Sequence, residues 1–265
     1  MEHPAYGALR QVTPYASVLL AHNPSPMTLE GTNTWVVREP DAGDCVVIDP
    51  GPADADHLRR VADQGPVSLV LLTHHHSDHT GGAARFAELT GAPVRALDPA
   101  LCLGAGPIQD GESIKAGGME LRVIATAGHT ADSVCFVVDH EEPAVFTGDS
   151  LLGRGTTVVA YPDGHLGSYF ESLRLLAGLP PGLRVLPGHG PELPDVRTIA
   201  NAYLEHREQR LDQVRAAVRD HGPAVTPRQV VEVVYVDVDR SVWPAAELTV
   251  QAQLAYLRER GELRS

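Results

Sequence analysis

From Thr73 to Gly81 the chain reads Thr-His-His-His-Ser-Asp-His-Thr-Gly, crowding His74, His75, His76, His79 and the Asp78 carboxylate into one short segment. It follows directly on the apolar run Val67 to Leu72. Such crowding is costly in a bare protein, because protonated imidazoles repel one another and buried neutral ones need partners. A divalent cation relieves both problems, and imidazole nitrogen with carboxylate oxygen is a donor set that zinc favours. His74 and His76 stand two apart where a strand runs out, so their side chains can point the same way. Asp78 and His79 open a helix expected from Asp78 to about Leu89, and can reach a second position nearby. A metal centre therefore comes first, and the rest of the chain must bring further ligands to it.

Short β-branched runs read as strands: Thr34 to Arg38, Cys45 to Asp49, Val67 to Thr73, Leu121 to Ala125, Val134 to Val138, Ala144 to Thr147, and Val185 to Leu186. Between them lie helical patterns at Ala53 to Asp63, Asp78 to Thr90 and Leu166 to Ala177, the last closed by Gly178 and Pro180. This alternation predicts an α/β protein with sheets covered by helices. From Asp195 to Arg219 the spacing of Ile199, Tyr203, His206, Arg210, Val214 and Val218 is helical, ending at His221-Gly222-Pro223. Two further helices are expected at Pro227 to Val234 and Ala245 to Arg260. The organisation expected is a catalytic body at residues 1–196 and a small helical, winged-helix-like appendage at 197–265.

The 265 residues carry 21 Lys plus Arg against 34 Asp plus Glu, a formal charge of −13. Residues 1–196 hold 24 of the acidic and 11 of the basic groups, whereas 197–265 balance at 10 and 10, so the excess lies in the body. An acidic body disfavours unspecific adhesion to nucleic acid or membrane, and bound cations would offset part of it. Cys45, Cys102 and Cys135 are isolated in apolar surroundings and read as buried thiols. The first thirty residues contain Pro4, Pro14, Pro24 and Pro26 and no apolar core behind a basic start. The expectation is a cytoplasmic protein with no membrane span.

Three later positions share one local grammar, a strand ending in a glycine-containing turn with a single metal-capable side chain. They are Gly128-His129-Thr130, Gly148-Asp149-Ser150 and Gly188-His189-Gly190. Glycine lets the backbone turn sharply and approach an ion closely. If the strands are neighbours, their ends converge on one edge, where ligands of open α/β sheets sit. With these motifs the chain resembles the metallo-β-lactamase superfamily over roughly residues 10 to 195. The resemblance implies a four-layer αββα sandwich with two zinc ions at one edge, manganese or iron also being compatible with His/Asp donors. It implies His74, His76 and His129 for one ion, Asp78, His79 and His189 for the other, and Asp149 between them. Asp49, in Ile48-Asp49-Pro50-Gly51, would orient the ligand loop from behind, unless it only forms a turn. His75 would bind no metal.

Two divalent cations outweigh Asp78, Asp149 and a bridging hydroxide, leaving net positive charge that can bring the pKa of water toward about 7 and stabilise an anionic transition state. Asp78 could orient that hydroxide or accept its proton, which makes it the catalytic candidate. A narrower resemblance, carried by Asn23-Pro24-Ser25-Pro26-Met27-Thr28-Leu29-Glu30-Gly31-Thr32-Asn33-Thr34, is to the β-lactamase-like-2 group, which includes single-stranded endoribonucleases and acyl-carrier thioesterases. Substrate-contact candidates are Thr32, Asn33, Arg154 and Tyr169. Phosphodiester cleavage of single-stranded RNA stands slightly ahead of hydrolysis of a small thioester, such as an acyl-glutathione or an acyl-carrier thioester. A catalytically dead nucleic-acid-binding protein comes third. Arg207, Arg210, Arg215 and Arg219 on one helix favour RNA, whereas Glu205, Glu208 and Asp212 beside them and an aromatic content of 5% weigh against it. Oligomeric state is not legible in the sequence.

Overall fold

The computed structural model describes residues 5–222 and 224–263. Its strands are β1 (Arg10–Gln11), β2 (Ala16–Leu20), β3 (Asn33–Val37), β4 (Cys45–Ile48), β5 (Val67–Leu71), β6 (Val94–Arg95), β7 (Ser113–Ala116), β8 (Met119–Ala125), β9 (Val134–Val138), β10 (Ala144–Gly148) and β11 (Arg184–Pro187). They form one sheet in the order β1-β2-β3-β4-β5-β6 and a second in the order β11-β10-β9-β8-β7. Both are mixed: β4, β5 and β6 run parallel, as do β10 and β11, and the other pairings are antiparallel. The helices are α1 (Ala55–Ala62), α2 (Ser77–Thr80), α3 (Ala83–Thr90), α4 (Leu166–Ala177), α5 (Val196–His221), α6 (Pro227–Val234) and α7 (Trp243–Glu259). Among the described residues no helix is long and apolar enough to cross a membrane.

Alternation along the strands sorts the side chains into four layers. Trp35, Val37, Val46 and Ile48 of the first sheet meet Leu121, Val123, Phe136 and Phe146 of the second in the central core. The opposite faces of the central strands are buried too, which is why β3, β4, β9 and β10 read as largely apolar runs. Val36, Val47 and Val70 pack under Leu58, Val61 and Phe86 of α1 and α3. Cys135, Val137, Val145 and Val185 pack under Phe170, Leu173 and Leu176 of α4, and that cluster continues through α5 into α6 and α7 by way of Leu211, Val230, Val250 and Leu254. The result is the αββα sandwich with a C-terminal winged-helix-like region.

One expectation needs correction. The single helix from Asp78 to Leu89 is broken into α2 and α3 because the Gly82 amide turns away to the Gly51 carbonyl at 2.9 Å, interrupting the helical ladder. A Cβ on Gly82 would lie 2.8 Å from the Pro52 carbonyl oxygen, so glycine is required where the two backbones meet. On α5 the buried stripe is Val196, Ala200, Tyr203, Arg207, Leu211 and Val214. It places Arg207 inside.

His57 packs behind the ligand loop, with Nε2 2.9 Å from the Thr34 hydroxyl. Burial pushes its pKa down to about 4 from 6.5. A depressed histidine contributes stability that is fully present above the unfolded pKa and is lost as the pH falls through the folded one. Acid should therefore cost about 3 kcal/mol between pH 6.5 and 4 through this residue. Denaturant titrations of His57→Gln across that interval should show the loss flattened by that amount. An unchanged slope would assign the acid sensitivity elsewhere.

Candidate metal centre

Each candidate ligand hangs from the end of a strand, and all the ends lie on one edge. His74, His76, Asp78 and His79 follow β5, His129 follows β8, Asp149 follows β10 and His189 follows β11. The two sheets are stitched at this edge by Asn33, whose amide donates to the Gly188 carbonyl at 2.8 Å. Its side chain donates to the carbonyls of Pro187 at 3.0 Å and Gly190 at 2.8 Å. The Trp35 indole donates to the Pro187 carbonyl at 3.1 Å.

The imidazole tautomers follow from what holds each ring. His79 Nδ1 donates to Asp49 Oδ2 at 2.8 Å, His129 Nδ1 to the Val158 carbonyl at 2.6 Å and His189 Nδ1 to the Gly31 carbonyl at 3.0 Å. His74 Nδ1 meets the Thr73 hydroxyl at 3.0 Å. With Nδ1 so engaged, each of these rings turns Nε2 inward. Asp49 is the hub of the support, also accepting the Thr73 amide at 2.8 Å and the Thr73 hydroxyl at 2.7 Å. It holds φ +53°, a left-handed conformation that a non-glycine residue adopts at a cost.

The inward atoms crowd together. His76 Nδ1 lies 3.1 Å from His74 Nε2 and 3.1 Å from His129 Nε2. His79 Nε2 lies 3.2 Å from His189 Nε2 and 3.3 Å from Asp78 Oδ2, and His189 Nε2 lies 3.1 Å from Asp78 Oδ2. Asp149 stands between the two groups, with Oδ1 3.4 Å from His79 Nε2 and Oδ2 3.4 Å from His189 Nε2 and 3.7 Å from His129 Nε2. The triads His74–His76–His129, His74–His79–Asp149 and Asp78–His79–His189 each have donor atoms within 4.8 Å of one another. Lone pairs aimed at lone pairs, and a buried Asp149 Oδ1 with no hydrogen-bond partner, fit a cation and little else. These residues are able to hold metal.

Electrostatics separate the two groups. Burial pushes His74, His76 and His129 down, His76 to about 4, so all three are neutral and free to donate at neutral pH. Burial would depress His79 and His189 as well, but Asp149, with Asp49 or Asp78, outweighs it and raises both, His189 to about 9. Burial would lift the Asp78 carboxyl, yet His189 and His79 hold it far below the usual carboxylate range.

The substrate-contact candidates separate. Thr32 is buried, with its hydroxyl 3.4 Å from Asp78 Oδ2 and held by the Asn23 side chain at 2.9 Å. Arg154 is on the surface at the rim of a cavity, paired with Glu30 at 2.7 Å. Asn33 and Tyr169 must be corrected. Asn33 is spent on the sheet-to-sheet bonds described above. Tyr169 is 0% exposed, donates to the Ser150 carbonyl at 2.8 Å and props Gly128, whose Cβ would lie 2.4 Å from the Tyr169 Cα. Both are scaffolding. His75 turns away to Asp132 at 2.8 Å.

Residues 27–189 match the Metallo-beta-lactamase superfamily. The chain belongs to the metallo-β-lactamase superfamily. Residues 226–265 match the Beta-lactamase associated winged helix domain. The Beta-lactamase-like protein 2 homolog of Drosophila melanogaster is 32% identical across 97% of this chain and 92% of its own length. The Atrochrysone carboxyl ACP thioesterase of Aspergillus chevalieri is 32% identical over 88% of this chain and 77% of its own. The crystal structure of a beta-lactamase domain protein from Burkholderia ambifaria has the same fold, with TM-score 0.81 and 22% identity over 98% of this chain and 90% of that one. Within the metallo-β-lactamase superfamily the chain falls in the β-lactamase-like-2 group and is a metal-dependent hydrolase.

Proposed function

We propose that this metallo-β-lactamase-fold protein is a dinuclear zinc thioesterase, with residues 1–196 as catalytic body and 197–265 as an appendage that completes the substrate cavity. His74, His76 and His129 would hold one ion, Asp78, His79 and His189 the other, and Asp149 both. The observation that carries the substrate class is a cavity of about 380 Å³ opening beside His129 and Asp149, with Leu152, Val158, Val238, Val242 and Ala246 in its walls. These aliphatic walls suit an acyl chain, and Arg154, His206, Arg207 and Arg210 also line the cavity. The row of arginines that favoured RNA is largely committed: Arg207 is buried, Arg210 donates to the Val234 carbonyl at 2.8 Å, and Arg215 is held by Glu262 at 2.6 Å. The name of the Aspergillus chevalieri relative points the same way.

Bound zinc supplies an acidified water and a counter-charge for the developing oxyanion. Asp78 is the ligand candidate with the most exposed carboxylate, 26% accessible, and it stays ionised at any physiological pH. It can therefore accept a hydrogen bond from the attacking water and fix its direction. Thr32 and His189 keep that carboxylate in place. A thiolate departs without a proton, so no acid is asked of the cavity walls.

Zinc-loaded protein should hydrolyse acyl-N-acetylcysteamine or acyl-glutathione thioesters, lose that activity on chelation, and regain it with zinc. The same preparation should act more slowly on single-stranded RNA and on a β-lactam. Metal-dependent RNA cleavage without thioester turnover would restore the phosphodiester reading that the sequence ranked first.

A further inference from the structure

The aliphatic cavity contains one group that its walls do not explain. Arg207 is 3% exposed, donates through Nη2 to the Thr157 carbonyl, and lies over the Tyr169 ring at 5.3 Å. Its Nε has no acceptor. Among the described residues no carboxylate is within ion-pair distance of it or of Arg210, whose guanidinium sits 4.8 Å over the Tyr235 ring. His206 Nδ1 is likewise buried without a partner. All three side chains line the cavity. Elsewhere in the C-terminal region Arg215 pairs with Glu262, Arg228 with Glu247 and Arg260 with Glu262. A buried guanidinium without a counter-ion is a standing cost, removed when a ligand supplies the anion. The cavity's position next to the metal centre makes that ligand part of the substrate: Thr157 accepts from Arg207 through its carbonyl and sits 3.1 Å from His129 Nδ1 through its hydroxyl.

We propose that the cavity selects acyl groups whose far end is a carboxylate, with the Arg207 and Arg210 guanidinium groups and His206 forming a cationic end to a pocket whose other walls are largely aliphatic. The proposal rests on the thioester reading above. A carboxylate fits better than a phosphate, because a monoanion is less costly than a dianion to desolvate in a cavity whose other walls are largely aliphatic. A neutral acyl chain would leave Nε bare.

The test compares N-acetylcysteamine thioesters of succinyl, glutaryl and adipyl groups with their ω-carboxamide counterparts, using zinc-loaded protein and following thiol release. At least one acid should exceed its amide about tenfold in kcat/KM, the worth of a charge-assisted hydrogen bond. That ratio should fall toward one in Arg207→Met and in Arg210→Met, the second being half-buried and so the milder change for folding. A purely structural role for these arginines would change Tm and leave the ratio alone. Ratios at or below one throughout, or ratios unchanged in both variants, overturn the proposal. If no thioester is turned over at all, the thioester reading has failed, and calorimetry with adipic acid monoamide, adipamide and inorganic phosphate decides the subsite separately. Monoamide binding that weakens in Arg210→Met upholds it. Phosphate binding as tightly, or monoamide binding indifferent to both variants or absent, overturns it.

Discussion

Asp149→Ala is expected to lower kcat/KM by at least about 10³, equivalent to about 4 kcal/mol of transition-state stabilisation, and to reduce bound metal from two ions per chain to one or none. Asp149 reaches His79 with one oxygen and His189 and His129 with the other. Of the ligands proposed for the two ions only Asp78 and Asp149 carry negative charge, so removing one leaves a pair of dications against a single carboxylate in a buried site. That imbalance is steep where water cannot screen it. Asp149→Asn separates charge from shape: it keeps the side-chain volume and should lose nearly as much metal as the alanine variant. His75→Ala, whose ring is turned to Asp132, should retain full metal content and turnover. Elemental analysis beside steady-state kinetics reads both quantities. Two ions and ordinary turnover in Asp149→Ala would refute the shared-ligand arrangement.

The same residue shows why the site was readable before the fold. Asp149, His129 and His189 each follow a buried apolar strand and sit beside a glycine, and that local grammar is independent of how the strands pair. The central strands were legible for a related reason, since Val46, Val47 and Ile48 are covered on both faces and leave no polar alternation to confuse with a helix. Edges were harder. β1 is two exposed residues paired only to β2, and in β7 only Ile114 is buried, so neither carries enough apolar signal to stand out from a loop. The break at Gly81-Gly82 depends on the carbonyl of Gly51, distant in sequence, which no helical pattern can register. Arg207 was weighed as a phosphate contact or a solvated charge because residue type dominated over position. Its spacing four residues after Tyr203 and four before Leu211 was the available sign that it faces inward. Tyr169 was misread in the opposite sense, an amphipathic ring placed at the substrate when it fills the space behind Gly128.

Gly188→Ala should damage the metal centre through a single added methyl. Gly188 requires no unusual backbone angle of its residue; what it requires is emptiness. An added Cβ would lie 2.6 Å from Asp149 Oδ1 and 2.7 Å from His79 Cε1, on two of the proposed ligands at once. Nor can the backbone retreat, because the Gly188 amide donates to the Gly148 carbonyl at 2.8 Å and its carbonyl accepts from Asn33 at 2.8 Å. These bonds tie β11 to β10 and the second sheet to the first. The methyl therefore either displaces Asp149 and His79 or pries the sheets apart at the metal edge. Overpacking of this kind costs about 1–3 kcal/mol, and a ligand displacement approaching an ångström reduces turnover by about 10² or more. Gly43→Ala, where a new Cβ meets nothing within 4 Å, serves as the matched control and should change neither quantity. Measuring Tm on the metal-free proteins isolates the packing cost, and metal content then isolates the displaced ligands. A Gly188→Ala protein that binds its full complement of metal and turns over normally would mean that the Asp149 and His79 side chains do not occupy the positions on which the site is built.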